Sequence, residues 1–185
     1  MVKYHSLRDK VFNVQNLYAA FNHVKKNKGA AGLDRVSIQQ FESDLEKNIQ
    51  NIHKELKTDV YKPSPVLRVY IPKGRHEKRP LGIPIVKDRV VQQAFRQIIE
   101  PIFEKDFSDN SYGFRPNRCC HDAIRRLEQY KKEGYIKVLD ADIQAFYDTI
   151  PQKLIMDRLR EKISDGWVLN SIDNMLKAGV MEDGI

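Results

Sequence analysis

The segment "KVLDADIQAFYDTI", residues 137–150, decides how this chain is read. An apolar lead-in, Ile136, Val138 and Leu139, runs into Asp140, Asp142 and Asp148 and an aromatic pair, Phe146 and Tyr147. The apolar run predicts a buried strand over residues 135–143. Aspartate is depleted from strand interiors. Strand alternation sets Ile136, Val138, Asp140 and Asp142 on one face. A carboxylate at the end of such a strand needs a cation or several hydrogen-bond donors. A hard divalent cation such as Mg²⁺ is the natural functional partner, because it prefers oxygen ligands. The competing reading is an aspartate that caps the next turn or pairs with a lysine, and spacing alone does not separate the two.

Bulk properties bound the rest. A chain of 185 residues that is 41% hydrophobic holds one large domain, or one domain with an extension, and buries a real core. Its net charge of +7 points toward a polyanionic partner, though a merely soluble basic protein has the same balance. No apolar run approaches the ~20 residues of a membrane span. "MVKYHSLRDK" lacks the apolar core of a secretion signal, so a cytoplasmic location and no membrane partner are expected. Cys119 and Cys120 are adjacent, which suggests neither a disulfide framework nor a structural zinc site.

Helical periodicity through Leu7, Val11, Val14, Leu17, Phe21 and Val24 predicts one N-terminal helix, ended by "KKNKGAAG". Ser37 and Gln40 fit a capping box ahead of a helix that carries Phe41, Leu45, Ile49, Ile52 and Leu56. "VLRVYIPKGRHEKRPLGIPI" alternates apolar and polar residues around a polar linker and predicts a β-hairpin with a basic tip. Its prolines suggest an edge position. Asp88 is placed to cap the next helix, and Gly134 to end the one from about residue 119. Two more helices follow Pro151, and "VMEDGI" reads as a strand that has barely begun. The fold class is α+β.

Several strings occur in a telling order: "GLD" at Asp34, "IPKGRHEKRPLGIP", "DR…Q", "SYGFRPNR", then "DIQAFYDTI". Together they resemble the reverse transcriptases of group II intron-encoded proteins, from about residue 27 onward. The resemblance implies a retroelement polymerase with right-hand architecture. Residues 1–86 would form the N-terminal extension and fingers, 87–150 a partial palm with the metal-binding strand, and 151–185 a return to the fingers. It implies an RNA-directed DNA polymerase whose partners are an RNA template, a DNA primer and a dNTP, with intron RNA bound in a splicing-maturase role.

The implied chemistry is nucleotidyl transfer by two Mg²⁺ ions about 3.5–4 Å apart. Asp142 matches the bridging metal ligand and catalytic carboxylate, and the Ile143 carbonyl the next ligand. Asp140 and Asp148 are not ligands by this resemblance; Asp148 is expected to cap the following helix. Tyr147 matches the aromatic that packs under the sugar, where many relatives carry Phe. Lys73 and Arg79 match cations on the triphosphate, and Arg115 a residue near the incoming nucleotide. Arg115 has the alternative of holding an acidic neighbour, while Arg75 and Lys78 read as ordinary surface charge. Lys25, Lys26 and Lys28 match the template- and RNA-contacting extension.

Neither the family's "PQG" nor its "YxDD" string occurs among the 185 residues. The chain stops about where "PQG" would begin. The expectation is a fragment that is inactive alone and whose uncovered palm edge invites self-association. The alternatives are a non-catalytic RNA-binding or maturase module, and a retron-type reverse transcriptase.

Overall fold

Ser37 and Gln40 form the capping box that their spacing predicts. The Ser37 hydroxyl accepts from the Gln40 N–H, and the Gln40 side chain accepts from the Ser37 N–H. The computed structural model describes residues 3–74 and 77–182, the side chain of Asp148 excepted. Arg75 and the expected Asp148 cap therefore lie outside the described residues. The chain divides into two compact units, residues 1–99 with 152–185, and residues 100–151.

The first unit starts with α1 (Arg8–Val11) and α2 (Val14–Lys26), where the periodicity predicts a single helix. Asn13 makes the break: its side chain accepts from the Gln15 N–H and starts α2 afresh. The next predicted helix also divides, into α3 (Ile38–Ser43) and α4 (Leu45–Lys57), at Asp44, whose φ of −116° and ψ of 33° are not helical. Apolar periodicity survives both breaks because a short kink leaves the buried face in register. Phe21 and Phe41 stack 5.6 Å apart, and Leu17, Ile49, Ile52 and Leu56 are fully buried with them. Each such side chain contributes roughly 1.5–3 kcal/mol.

The hairpin forms as β1 (Val66–Lys73) and β2 (Glu77–Ile83), antiparallel, with Leu67 opposite Ile83 and Val69 opposite Leu81. A third strand, β3 (Val180–Met181), pairs parallel with β1 and gives the order β2-β1-β3. β2 is thus an edge strand, where Pro80 removes no required ladder bond.

The helix α5 (Val86–Glu104) follows the hairpin, and α8 (Gln152–Lys162) and α9 (Gly166–Leu176) close the first unit. Val86, Val90, Val91 and Ala94 are fully buried along α5, and Phe95 stacks on Trp167 of α9 at 5.5 Å. Asp165 caps α9 by accepting from the Val168 N–H, and also accepts from the N–H groups of Leu7 and Arg8. Gly32 is required by close approach: a Cβ there would sit 2.7 Å from the Ile85 backbone.

Asp88 does not cap α5. It is buried in the first turn and accepts from the Tyr61 hydroxyl at 2.7 Å and the Ser64 N–H at 2.8 Å. It ties the connection that leads into β1 to the helix that leaves β2.

In the second unit, α6 (Cys120–Lys132) starts at Cys119 and ends before Gly134, whose φ of +97° suits glycine. The Cys119 N–H donates to the Asp122 carboxylate, which holds that carboxyl below its ordinary value. Residues 135–143, predicted as a strand, form none, and a short α7 (Phe146–Thr149) follows. The correction has a physical cause. A strand exists by its ladder of hydrogen bonds, and no described strand pairs with this segment. Its apolar side chains face solvent: Val138 is 85% exposed and Leu139 92%. No helix among the described residues is long and apolar enough to cross a membrane.

Two consequences follow for Asp88. Asp88→Ala strands two half-buried donors and is expected to cost roughly 2–4 kcal/mol in urea unfolding at neutral pH. Burial holds the Asp88 carboxyl above its ordinary value in spite of its hydrogen bonds. The folded chain therefore keeps this proton to a higher pH than the unfolded chain. Stability from this group falls as pH rises from the ordinary carboxylate range through the raised value. Asp88→Asn is expected to flatten that fall, and an unchanged pH slope would contradict the assignment.

Candidate functional site

The hairpin register sorts its side chains into two faces. Lys73 lies opposite Glu77, and Arg79 opposite Ile71. Lys73 and Arg79 are therefore diagonal neighbours on one face, ~7–8 Å apart at the backbone and within reach of each other's ligands. Arg68, Tyr70 and Lys78 occupy the other face. There, the Tyr70 hydroxyl donates to Glu182, and Arg68 sits 3.8 Å from the same carboxylate. The hydrogen bond to Glu182 raises the Tyr70 phenol above its ordinary value. Arg79 is exposed, and Lys73 Nζ lies 3.5 Å from the Glu77 carboxylate with both side chains largely in water. Such a pair is worth about 0–1 kcal/mol, so Lys73 leaves it at little cost.

In the second unit, Asp140, Asp142 and Ile143 lie in the exposed segment between α6 and α7. Ala145 has a φ of +49° and turns the chain into α7. That turn sets Phe146 and Tyr147 edge to face at 5.5 Å. Tyr147 is 80% exposed and Phe146 45%.

Among the described residues, no three His, Cys, Asp or Glu side chains converge as a metal cluster. The donor set fits a hard cation in kind, since a carboxylate and a carbonyl both offer oxygen. It falls short in number for two ions.

Arg115 stands apart from the exposed cations. Its side chain is 6% exposed, and its guanidinium donates to the Glu104 carboxylate from two nitrogens, at 2.9 and 2.7 Å. It donates further to the carbonyls of Ser108 and Ser111 and lies over the Phe107 ring at 5.3 Å. This is the acidic-neighbour alternative of the sequence reading: the guanidinium closes the loop over residues 104–115.

The lysines after α2 also divide. Lys25 pairs with Glu42, and all of Lys25, Lys26 and Lys28 are exposed. Sequence reasoning passed over Arg89, which donates to the Ala30 carbonyl at 2.5 Å and fixes the loop that carries Gly29. A Cβ at Gly29 would fall 2.5 Å from the Arg89 guanidinium. Burial lowers the Arg89 pKa from its ordinary value, and Asp34 opposes that shift. The available signal was the pairing of "GLD" with "DR…Q" in one chain.

The family described as reverse transcriptase (RNA-dependent DNA polymerase) matches residues 71–182, more than half of the chain. Protein YkfC of Escherichia coli (strain K12) is 38% identical over 165 residues, which cover 86% of this chain and 43% of that protein. Group II intron-encoded protein LtrA of Lactococcus lactis subsp. cremoris is 36% identical over 167 residues, 90% of this chain and 28% of that protein. Nuclear intron maturase 1 of Arabidopsis thaliana is 36% identical over 94 residues, 51% of this chain and 13% of that protein. The chain spans less than half the length of each of these relatives.

Arg115→Ala leaves the half-buried Glu104 without its partner. A loss of about 3 kcal/mol is expected, at the low end for a buried pair because Glu104 keeps partial exposure. Hydrogen exchange should quicken across residues 104–115. Arg115→Lys should fail to restore protection, because an ammonium cannot reproduce the fork of donors. Full protection in the lysine variant would show that charge alone suffices.

Proposed function

The chain belongs to the reverse transcriptase family, its relatives include group II intron-encoded proteins, and from that premise we propose that it carries part of an RNA-directed DNA polymerase site. Residues up to about 86 are assigned to the fingers with their extension, 87–150 to the palm and 151–185 to a return to the fingers. The boundary near 151 is supported by the re-entry of the chain into the first compact unit at Gln152, whereas that unit runs on to Ile99, past the boundary at 86. The substrates are an RNA template, a DNA primer and a dNTP, and intron RNA is a further partner.

The observation that carries this reading is the hairpin register. It sets Lys73 and Arg79 on one face, with Arg79 exposed and Lys73 held only by a solvent-exposed carboxylate. A triphosphate gains negative charge on its leaving group in the transition state, so two cations that grip it lower the barrier. Asp142 and the Ile143 carbonyl would hold Mg²⁺, which would supply neutralisation of charge on the transferred phosphate. Tyr147 offers a flat, exposed ring on which the incoming sugar rests. Arg115 organises its loop rather than touching nucleotide, and Lys25, Lys26 and Lys28 are phosphate contacts after α2, since the exposed pair of Lys25 with Glu42 is given up at little cost.

The metal site needs carboxylates beyond those in these 185 residues, so the polypeptide by itself does not polymerise. It still binds nucleotide. Lys73→Ala and Arg79→Ala are each expected to weaken dNTP binding about tenfold, the loss of one hydrogen bond to a charged group. In a polypeptide that continues this chain through a YxDD segment, Asp142→Ala is expected to reduce primer extension at least ~1000-fold. Retained extension would remove Asp142 from the site. Steady incorporation by the 185-residue polypeptide would refute the incomplete metal site, and RNA binding without any dNTP binding would favour a non-catalytic maturase module.

A further inference from the structure

The helix α7 is a single turn of 4 residues, far below the ~12–15 at which a helix sustains itself in water. Its N-cap residue, Ala145, makes no side-chain hydrogen bond. The described side chains of residues 144–149 are exposed, so burial does little to hold the turn. Ala145 also adopts a φ of +49° and a ψ of 38°, the left-handed region that an L side chain disfavours. Such a conformation persists only where its surroundings over-determine it. An exposed, uncapped and strained turn needs another hold.

Thr149 supplies that hold. Its N–H donates to the Ala145 carbonyl at 3.0 Å. Its hydroxyl donates to the same carbonyl at 3.0 Å and lies 3.3 Å from the Phe146 carbonyl. Both acceptor positions of the Ala145 carbonyl are thus taken by one residue. The Ile150 N–H closes the turn further on the Phe146 carbonyl at 3.2 Å. Inside ordinary helices threonine also bonds back to the carbonyl four residues earlier, with little effect on stability. Here the acceptor is the residue that turns the chain, and the loop so closed contains Phe146 and Tyr147. β-Branching leaves the Thr149 side chain few rotamers, so little freedom is lost in closing it.

We propose that Thr149 is a positioning residue for sugar discrimination: its clasp on Ala145 holds the turn that aims Tyr147, and so sets how strictly a ribose 2′-hydroxyl is refused. A ring rejects one added oxygen only if it cannot yield. On a loose turn the exposed Tyr147 ring would move aside and admit the ribonucleotide. On a clasped turn the same ring stays where the extra hydroxyl must collide with it. The inference rests on the reading of Tyr147 as the ring beneath the incoming sugar, while the clasp itself stands on the hydrogen bonds.

The test is primer extension by a polypeptide that continues this chain through a YxDD segment, with dNTP and rNTP compared by kcat/KM. Thr149→Val keeps the β-branched shape and the backbone N–H and removes only the hydroxyl, so the Ala145 carbonyl retains a donor and the fold is expected to survive. The dNTP-to-rNTP ratio is expected to fall about fivefold, the worth of one hydrogen bond in the balance between closed and open turn. The fall should come chiefly from a rise in kcat/KM for rNTP. Thr149→Ser keeps the hydroxyl and should restore the ratio. Ala145→Val opposes the left-handed conformation and should lower the ratio by a second route. Equal loss of dNTP and rNTP incorporation in Thr149→Val would show a merely structural role and overturn the inference. If Tyr147→Ala lowers the ratio while Thr149→Val and Ala145→Val keep the wild-type value, the clasp is overturned and the Tyr147 reading stands. If Tyr147→Ala leaves the ratio unchanged, the two fall together. A continued polypeptide that extends no primer would remove the polymerase reading and this inference with it.

Discussion

The buried carboxylate of Asp88 fixes the geometry on which the first unit depends. It accepts from Ser64, two residues before β1, and from Tyr61 just upstream. It stands on α5, which begins three residues after β2 ends. One side chain thus holds both ends of the hairpin base. A hairpin alone is marginal in water. Anchored at its base, it presents Lys73 and Arg79 in a defined direction. The next residue, Arg89, repeats the device toward a different loop by holding Ala30. Two consecutive residues in one helical turn therefore fix the two connections that bear cations.

These ties explain why part of the fold was legible in the sequence and part was not. The Ser37 capping box, the hairpin and the end of α6 at Gly134 are made by residues close together in the sequence. The breaks at Asn13 and Asp44 are local too. They escape because apolar periodicity continues across a kink, so pattern alone joins what a capping side chain separates. Asp88 looks like an N-cap from sequence spacing. Its partners lie 24 and 27 residues away, and no local rule names them.

The segment over residues 135–143 teaches a different lesson. Its composition is that of a strand, and its sequence was read that way. Strand character is a property of a pair, since each backbone donor needs an acceptor across the ladder. Without a described partner, the same residues lie exposed, and Asp142 is left as one oxygen ligand in an open segment. The candidate metal site was legible as a residue type in a recognisable string. The rest of it was not, because among the described residues no three His, Cys, Asp or Glu side chains converge as a cluster.

Burial sorts the cations by the partners that they already hold. Arg115 sits in a resemblance-bearing string, yet its guanidinium is almost fully covered and has Glu104 and two carbonyls as partners. Removing it from those partners to meet a nucleotide would cost several kcal/mol. Lys73 sits in water against an exposed glutamate, where the exchange of one carboxylate for a triphosphate is nearly free. Arg89 combines the two conditions, with one edge fixed to the protein and Nε left without an acceptor. A cation that is fully committed organises a loop, and one that is fully solvated is available but imprecise.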